Sequence, residues 1–284
     1  MTTMTLTVES SAAARRRRPR ASLLTWVSAA VIVGGVLLAI LGPLLAPHDP
    51  DQTDIARAFF APSADHLLGQ DSQGRDILSR IMVGARSSMT GPLIVVLVAM
   101  SIGTVVALLA AWLGGWFDSG VSAVTDIMFG FPAIVLAVLA AAVFGPGLVG
   151  PTIALGFAYI PLTIRVLRSF MIRERAKDYV LTYEVQGLSG LLICARHLLP
   201  NVWPMVIAQG TLLFGYAMVD FAAISFLGLG VQPPASDWGV MVSTGQRGVL
   251  LGYPTESFVA GACIVAVVLA VNFLGERISE QSET

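Results

Sequence analysis

Charge is what this sequence has least of. Of its 284 residues, 12% are Asp, Glu, Lys or Arg, against roughly 25% in soluble domains. With 55% apolar residues and a mean hydropathy of +0.78, that shortage excludes a soluble globular chain and marks a polytopic membrane protein. Cysteine is confined to Cys194 and Cys263, which have neither zinc nor redox spacing. One falls in a polar segment and the other in an apolar run, so no disulfide is expected. Histidine occurs only at His48, His66 and His197, each in a polar segment. No Ser/His or His/Glu pair therefore lies at membrane depth, which argues against an intramembrane protease or metalloenzyme. GxxxxGK[ST] is missing, so the chain has no P-loop for ATP. The motifs announce no catalytic residue, no metal site, no cofactor and no nucleic-acid partner.

What is present is a series of long apolar runs. A hydrocarbon core about 30 Å thick takes about 20 helical residues, and only a helix can satisfy the backbone across it. Runs at about 23–45, 89–113, 121–144, 147–168, 204–229 and 255–275 predict an all-α fold with six transmembrane helices. Gly145-Pro146-Gly147 parts the third from the fourth. Pro132, Pro151 and Pro161 sit inside or at the start of spans, where membrane helices tolerate proline. The first run follows Arg15 to Arg18 and Arg20. A signal-peptide core is about 7–15 residues long; this run is longer and lacks a small-residue cleavage site, so a retained anchor is expected.

Orientation follows Lys and Arg. With the N-terminus inside, the segments 1–22, 114–120, 169–203 and 276–284, with Arg165 and Arg168, carry 12 of the 17 basic residues. Arg57, Arg75, Arg80, Arg86 and Arg247 lie outside. Both termini are thus expected in the cytoplasm. The chain divides into a cytoplasmic tail 1–22, a first helix with an extracytoplasmic segment 23–88, a core 89–276 and a tail 277–284. Within 47–88, Ile77, Leu78, Ile81 and Met82 oppose Arg75, Asp76, Ser79 and Arg80, which predicts an interfacial amphipathic helix.

The polar island 173–201 is the largest internal inner segment, with Arg173, Arg175, Lys177, Arg196 and His197. Residues 179–185 can form a short helix, broken by Gly187-Leu188-Ser189-Gly190. Residues 191–199 can form another, stopped by Pro200, with Pro204 opening the next span. Two short helices about a glycine turn make a lobe fit to enter a groove on another protein; a plain solvated connector is the alternative.

Gly187, nine residues, then His197-Leu198-Leu199-Pro200 resembles the coupling loop that permeases of bacterial ABC importers present to their ATPases. Where that family has Glu-Ala-Ala, this chain has Leu181-Thr182-Tyr183, and Glu184 is the nearest carboxylate. His66-Leu67-Leu68-Gly69-Gln70-Asp71, Gly74-Arg75-Asp76, Ser79-Arg80 and Gly84-Ala85-Arg86 resemble a run found in C-type dipeptide and oligopeptide permeases. So does the string from Ser225 to Pro234 with Trp238-Gly239, and Asp118, Asp126, Phe131 and Pro132 match as well. Ser119 and Ala123 stand where relatives carry basic residues.

The resemblance implies a type I ABC importer permease in a bacterial plasma membrane. Its partners would be a homologous B-type permease, two ABC ATPases and an extracytoplasmic substrate-binding protein. It assigns coupling to Tyr179, Glu184, Gly187, Arg196, His197, Leu199 and Pro200. Gly69, Asp71, Gly74, Arg75, Asp76, Arg80, Gly228, Gly230, Pro233 and Trp238 become signature residues. Gly228 and Gly230 are expected to let helices approach closely. Pro233 is expected to end a span, and Trp238 and Tyr253 to anchor at the headgroups.

Asp220 lies in the interior of a span, a position that normally faces a polar cavity or partner helix. With Gln209 and Phe226 it is the candidate lining of a translocation pathway; a structural hydrogen bond to a partner subunit is the alternative. Asn272 is expected to make a helix–helix hydrogen bond. Nickel, glutathione and haem are alternative cargoes to peptides. An ion-coupled secondary transporter is the rival class, but such proteins carry repeats and several buried ionisable sites that are not evident here.

Overall fold

The computed structural model describes residues 23–282; the expected tail 1–22 lies outside them. Every extended element among the described residues is helical, and the backbone pairs in strand fashion only at one isolated bridge, Gln70 with Asp76. The helices are α1 (Leu23–Leu45), α2 (Ile77–Leu113), α3 (Gly115–Phe129), α4 (Ala133–Phe144), α5 (Val149–Arg175), α6 (Asp178–Val185), α7 (Gly190–Ile193), α8 (Leu199–Phe226), α9 (Trp238–Thr244), α10 (Gln246–Leu250) and α11 (Thr255–Ser282). A 3-10 turn, Ile55–Arg57, lies in the segment after α1.

Among the described residues, α1, α2, α5, the run Gly190–Phe226 and α11 are each long and apolar enough to cross a bilayer. The pair α3–α4 passes the same test only together, bent by 75° at its break. Counted as one broken span, it brings the total to the expected six. The expected span 121–144 is thus made of two helices and begins earlier, at Gly115. Gly130, Phe131 and Pro132 interrupt it, and Pro132 starts α4 in an extended conformation, which a residue without an N–H favours over continuing a helix.

Two further expectations change. The segment around Arg80 is not a separate interfacial helix but the opening of α2, which runs unbroken for 37 residues. Ile77 and Ile81 are buried, and so are Ser79 and Arg80 on the opposite face. Packing on all sides favours continuation over lying flat at an interface. Nor does Pro200 stop a helix: helix runs from Gly190 through Pro200 and Pro204 to Phe226. A π-helical turn, Cys194–Leu198, precedes that proline and shifts the carbonyl register where it offers no donor.

Helix α2 is the central mast. Against α1, α8, α9 and α11 it buries Ile77, Ile81, Ala85 and Met89. Further along, Val95 joins Leu155 of α5 and Phe221 of α8. At its far end Ala107 and Ala111 pack with Leu167 and Met171 of α5 and Val202 and Val206 of α8. Lipid offers no hydrophobic drive for helix association, so close van der Waals approach has to supply it. The α2–α5 crossing shows how: a Cβ on Gly103 would sit 2.5 Å from Thr163 Cγ2, and one on Gly156 would sit 2.9 Å from Val98. Each helix donates a groove to the other.

Gly103→Val should therefore overpack this crossing and lower stability by roughly 1–3 kcal/mol, read as a lower midpoint in detergent-titrated unfolding. Gly120→Ala, where nothing lies within 4 Å of an added Cβ, should leave the midpoint unchanged.

Candidate functional site

Three places gather the residues singled out by sequence: a lobe beside the end of α2, a polar pair within the bundle, and a charged cap at the bundle's opposite end.

The lobe is α6, the turn after it, α7 and the π turn. Gly187 adopts φ +80°, and Leu188 N–H reaches Tyr183 O at 3.2 Å while Gly187 N–H reaches Glu184 O at 3.0 Å. That pair of bonds is the Schellman closure, which needs a left-handed residue at this position. The base is braced. Tyr179 Oη donates to Glu174 Oε1 at 2.9 Å and accepts from Asn201 Nδ2 at 2.9 Å. Lys177 Nζ lies 2.7 Å from Glu174 Oε2, and the His197 ring lies against Tyr183, centroids 4.2 Å apart. Partial burial, with the Glu174 carboxylate beside it, pushes the Tyr179 phenol up to about 12. Val180, Ile193 and Leu198 form the inner face.

The outer face of the lobe is apolar. Leu181, Val185, Leu191 and Leu192 are all exposed, Val185 at 89%. Of the expected coupling residues, Glu184, Gly187, Arg196 and Pro200 are exposed, while Tyr179, His197 and Leu199 are half-buried. The two rings face inward as braces. The lobe is joined to α2 by Arg175, whose Nη1 donates to Ala111 O at 2.8 Å and whose guanidinium lies 4.9 Å from the Trp112 ring centre.

Within the bundle, Tyr159 Oη of α5 donates to Asp220 Oδ2 of α8 at 2.7 Å. Tyr159 was not singled out by sequence, because a lone tyrosine in an apolar run carries no pattern. Gln209, Tyr216 and Asp220 fall on one stripe of α8 by helical spacing. Phe226 lies off that stripe and is 38% exposed. Asn272, expected to bond between helices, instead presses its Oδ1 against Gly215, 2.4 Å from where a Cβ would lie. That buried oxygen has no hydrogen-bond partner. The close approach of α11 to α8 replaces the expected bond.

The cap joins the two signature strings. Asp71 and Arg75 are almost wholly buried as a pair, with Arg75 Nε donating to Asp71 Oδ2 at 2.7 Å. Arg75 N–H and Gln73 N–H donate to Asp71 Oδ1. Arg80 Nε lies 3.6 Å from the same carboxylate, and its Nη1 donates to Pro50 O and Pro234 O. Asp76 caps α2, accepting from Ser79 N–H at 2.8 Å and Ser79 Oγ at 2.6 Å. Against the desolvation of burial, those donors and the His66 ring hold its carboxyl below the ordinary aspartate range.

Asp237 caps α9 through Gly239 and Val240 and also accepts from Ser88 Oγ at 2.7 Å. Burial outweighs these donors and raises its carboxyl above the ordinary range. Trp238 is 1% exposed and donates Nε1–H to Ile81 O at 2.9 Å. The expected headgroup anchor is thus a core residue of the cap. Gly228 and Gly230 do not serve a helix crossing either. Gly228 has φ +75° in the turn that ends α8, and Gly230 folds back onto Ser225 of the same segment. Pro233 follows several residues after the helix has ended. Gly69 and Gly74 lie at left-handed turns against Phe60 and Asp54.

This is a permease architecture: a bundle of membrane helices with a lobe at one end and a buried ionic cap at the other. The chain belongs to the family described as the binding-protein-dependent transport system inner membrane component, whose model matches residues 99–282. Residues 15–62 match the N-terminal transmembrane domain of oligopeptide transport permease C. It is 36% identical over 250 residues to the dipeptide transport system permease DppC of Alkalihalophilus pseudofirmus, covering 88% of this chain and 82% of that one. A probable D,D-dipeptide transport system permease of Escherichia coli is 35% identical, covering 92% and 87%. A glutathione transport system permease of Pectobacterium atrosepticum is 32% identical, covering 86% and 81%. The chain is a multi-pass component of a bacterial plasma membrane, a transport subunit and not an enzyme.

Arg75→Ala removes the closest cation from a fully buried carboxylate, leaving it Arg80 at 3.6 Å and two backbone donors. It should cost about 3–5 kcal/mol and lower the unfolding midpoint sharply. Arg57→Ala breaks only an exposed pair with Asp54 and should cost less than about 1 kcal/mol.

Proposed function

We propose that the chain is one permease subunit of an ATP-driven importer of di- and oligopeptides, both termini and the lobe facing the cytoplasm. A homologous B-type permease completes the pathway, two ABC ATPases supply hydrolysis, and an extracytoplasmic binding protein delivers cargo. The carrying observation is the lobe: a hydrogen-bonded base that presents Leu181, Val185, Leu191 and Leu192 to water. A contiguous apolar tip on a polar outcrop marks a protein contact, and its fixed attachment to α2 suits it to pass on force. ATPase closure would push the lobe and rock the bundle between two packings, the coupling being the difference in contact free energy between them. The names of the dipeptide permeases support peptide cargo; the glutathione permease favours a short γ-linked peptide as the second reading.

Gly187→Glu strains the Schellman turn by only about 1 kcal/mol in open space, yet puts charge onto the apolar tip. It and deletion of 184–190 should abolish uptake of labelled dipeptide and co-purification with the ATPases, while membrane insertion stays intact. Normal uptake in either variant defeats the coupling role.

Asp220→Asn keeps the shape of the Tyr159 partner but removes its charge. Transport should fall while co-purification with the second permease persists. Loss of co-purification instead assigns Asp220 to subunit assembly.

A further inference from the structure

The cap contains a group of side chains that neither the coupling nor the pathway uses. His48 follows α1, His66 lies in the middle of the extramembrane segment, and Asp76 opens α2. One ligand atom from each lies within 4.8 Å of the other two. His66 Nδ1 is 3.0 Å from Asp76 Oδ1, His48 Nδ1 is 3.8 Å from Asp76 Oδ2, and the two rings are 4.5 Å apart. Tetrahedral zinc with bonds near 2.0–2.1 Å sets its ligands about 3.4 Å apart, and the observed separations straddle that value.

Hydrogen bonding within the cap does not account for this arrangement. Asp76 Oδ2 is spent on the two Ser79 donors, and the His66–Asp76 contact employs one ring. His48 Nδ1 remains enclosed without any hydrogen-bond partner. Buried polar atoms are normally paired, and an unpaired one marks an absent ligand, ion or water. The three residues open onto a cavity of about 240 Å³ that Asp49, Asp54 and Asp65 also line, with one cation, Arg57, which is paired to Asp54. Acidic walls of that kind raise the local concentration of cations.

We propose that His48, His66 and Asp76 bind a divalent transition-metal ion of the zinc class, with a fourth position open to the acidic cavity. Two imidazoles and a carboxylate suit Zn²⁺ and its neighbours over Ca²⁺ or Mg²⁺, which prefer all-oxygen shells. The ion pins the end of α1 to the start of α2 across a loop of nearly thirty residues. It is a staple of the cap, separate from the lobe and from Asp220.

The test uses the full-length chain in nanodiscs, purified without a histidine tag, with Zn²⁺ titrated against a chromogenic chelator and Co²⁺ read by its visible absorption. One ion per chain is expected, with an intense four-coordinate Co²⁺ band and a higher thermal midpoint when Zn²⁺ is present. His48→Ala and His66→Ala should each weaken Zn²⁺ at least tenfold, and His197→Ala, in the lobe, should not. His48 is half-exposed and its ring makes no hydrogen bond, so His48→Ala keeps the fold and carries the decision should His66→Ala disturb the loop. Absence of stoichiometric binding, or binding that survives His48→Ala, overturns the proposal.

Discussion

The buried pair of Asp71 and Arg75, with Arg80 against it, is the constraint on which the bundle depends. Charges removed from water are stable only when their partners and remaining hydrogen bonds are supplied together. Here the suppliers come from distant parts of the chain: Pro50 O after α1, Pro234 O after α8, and the backbone of the loop itself. Arg80 Nη1 reaches its two carbonyl acceptors only where α1, α2 and the α8–α9 connection meet at one point, while its buried Nε and Nη2 make no hydrogen bond. Asp237, Ser88 and Trp238 repeat the device about two turns further along α2. An ionic cluster thus does at the bundle's end what lipid cannot do within it, selecting one arrangement of helices over others.

From that anchored end, α2 runs the length of the molecule to the lobe. Arg175 binds the carbonyl of Ala111, and Gly190 comes so close to the Trp112 ring that a Cβ would be 2.5 Å from its nitrogen. The lobe is therefore seated on the last turn of α2 at one side and continuous with α8 at the other. Its contacts on the two sides are Trp112 of α2 and the π turn that leads into α8.

Much of this was legible in the sequence, and what was not has physical causes. Hydropathy located each span because lipid exposure imposes an apolar surface whatever the packing inside. The glycine turn of the lobe was legible because Gly187 closes a Schellman motif that follows from chain order alone. Trp238 misled, since an indole fits a headgroup belt and a buried pocket equally well, and only the distant Ile81 carbonyl decides between them. The amphipathic reading around Arg80 failed for the same reason: its polar face meets partners about thirty residues upstream and more than a hundred and fifty downstream. Tyr159 was invisible because its partner, Asp220, lies on another helix. Long-range polar pairing is what a single sequence conceals.

The broken third span shows how such pairing rearranges charge. The stretch between Asp118 and Asp126 has no basic residue of its own, which left that connection neutral in sequence. In the fold both aspartates are paired across to α5, Asp118 with Arg168 and Asp126 with Arg165, and Arg165 also lies 4.0 Å from the Phe129 ring centre. Two carboxylates about two turns apart on α3 are thus clamped by two arginines one turn apart on α5. Such a clamp holds α3 along α5 up to Phe129, and the chain bends immediately after it at Gly130. One exposed pair, Asp126 with Arg165, and one half-buried pair, Asp118 with Arg168, hold the half of the span nearest the lobe, while α4 beyond the bend packs through apolar side chains. The bend therefore separates a half tied by charge from a half tied by shape.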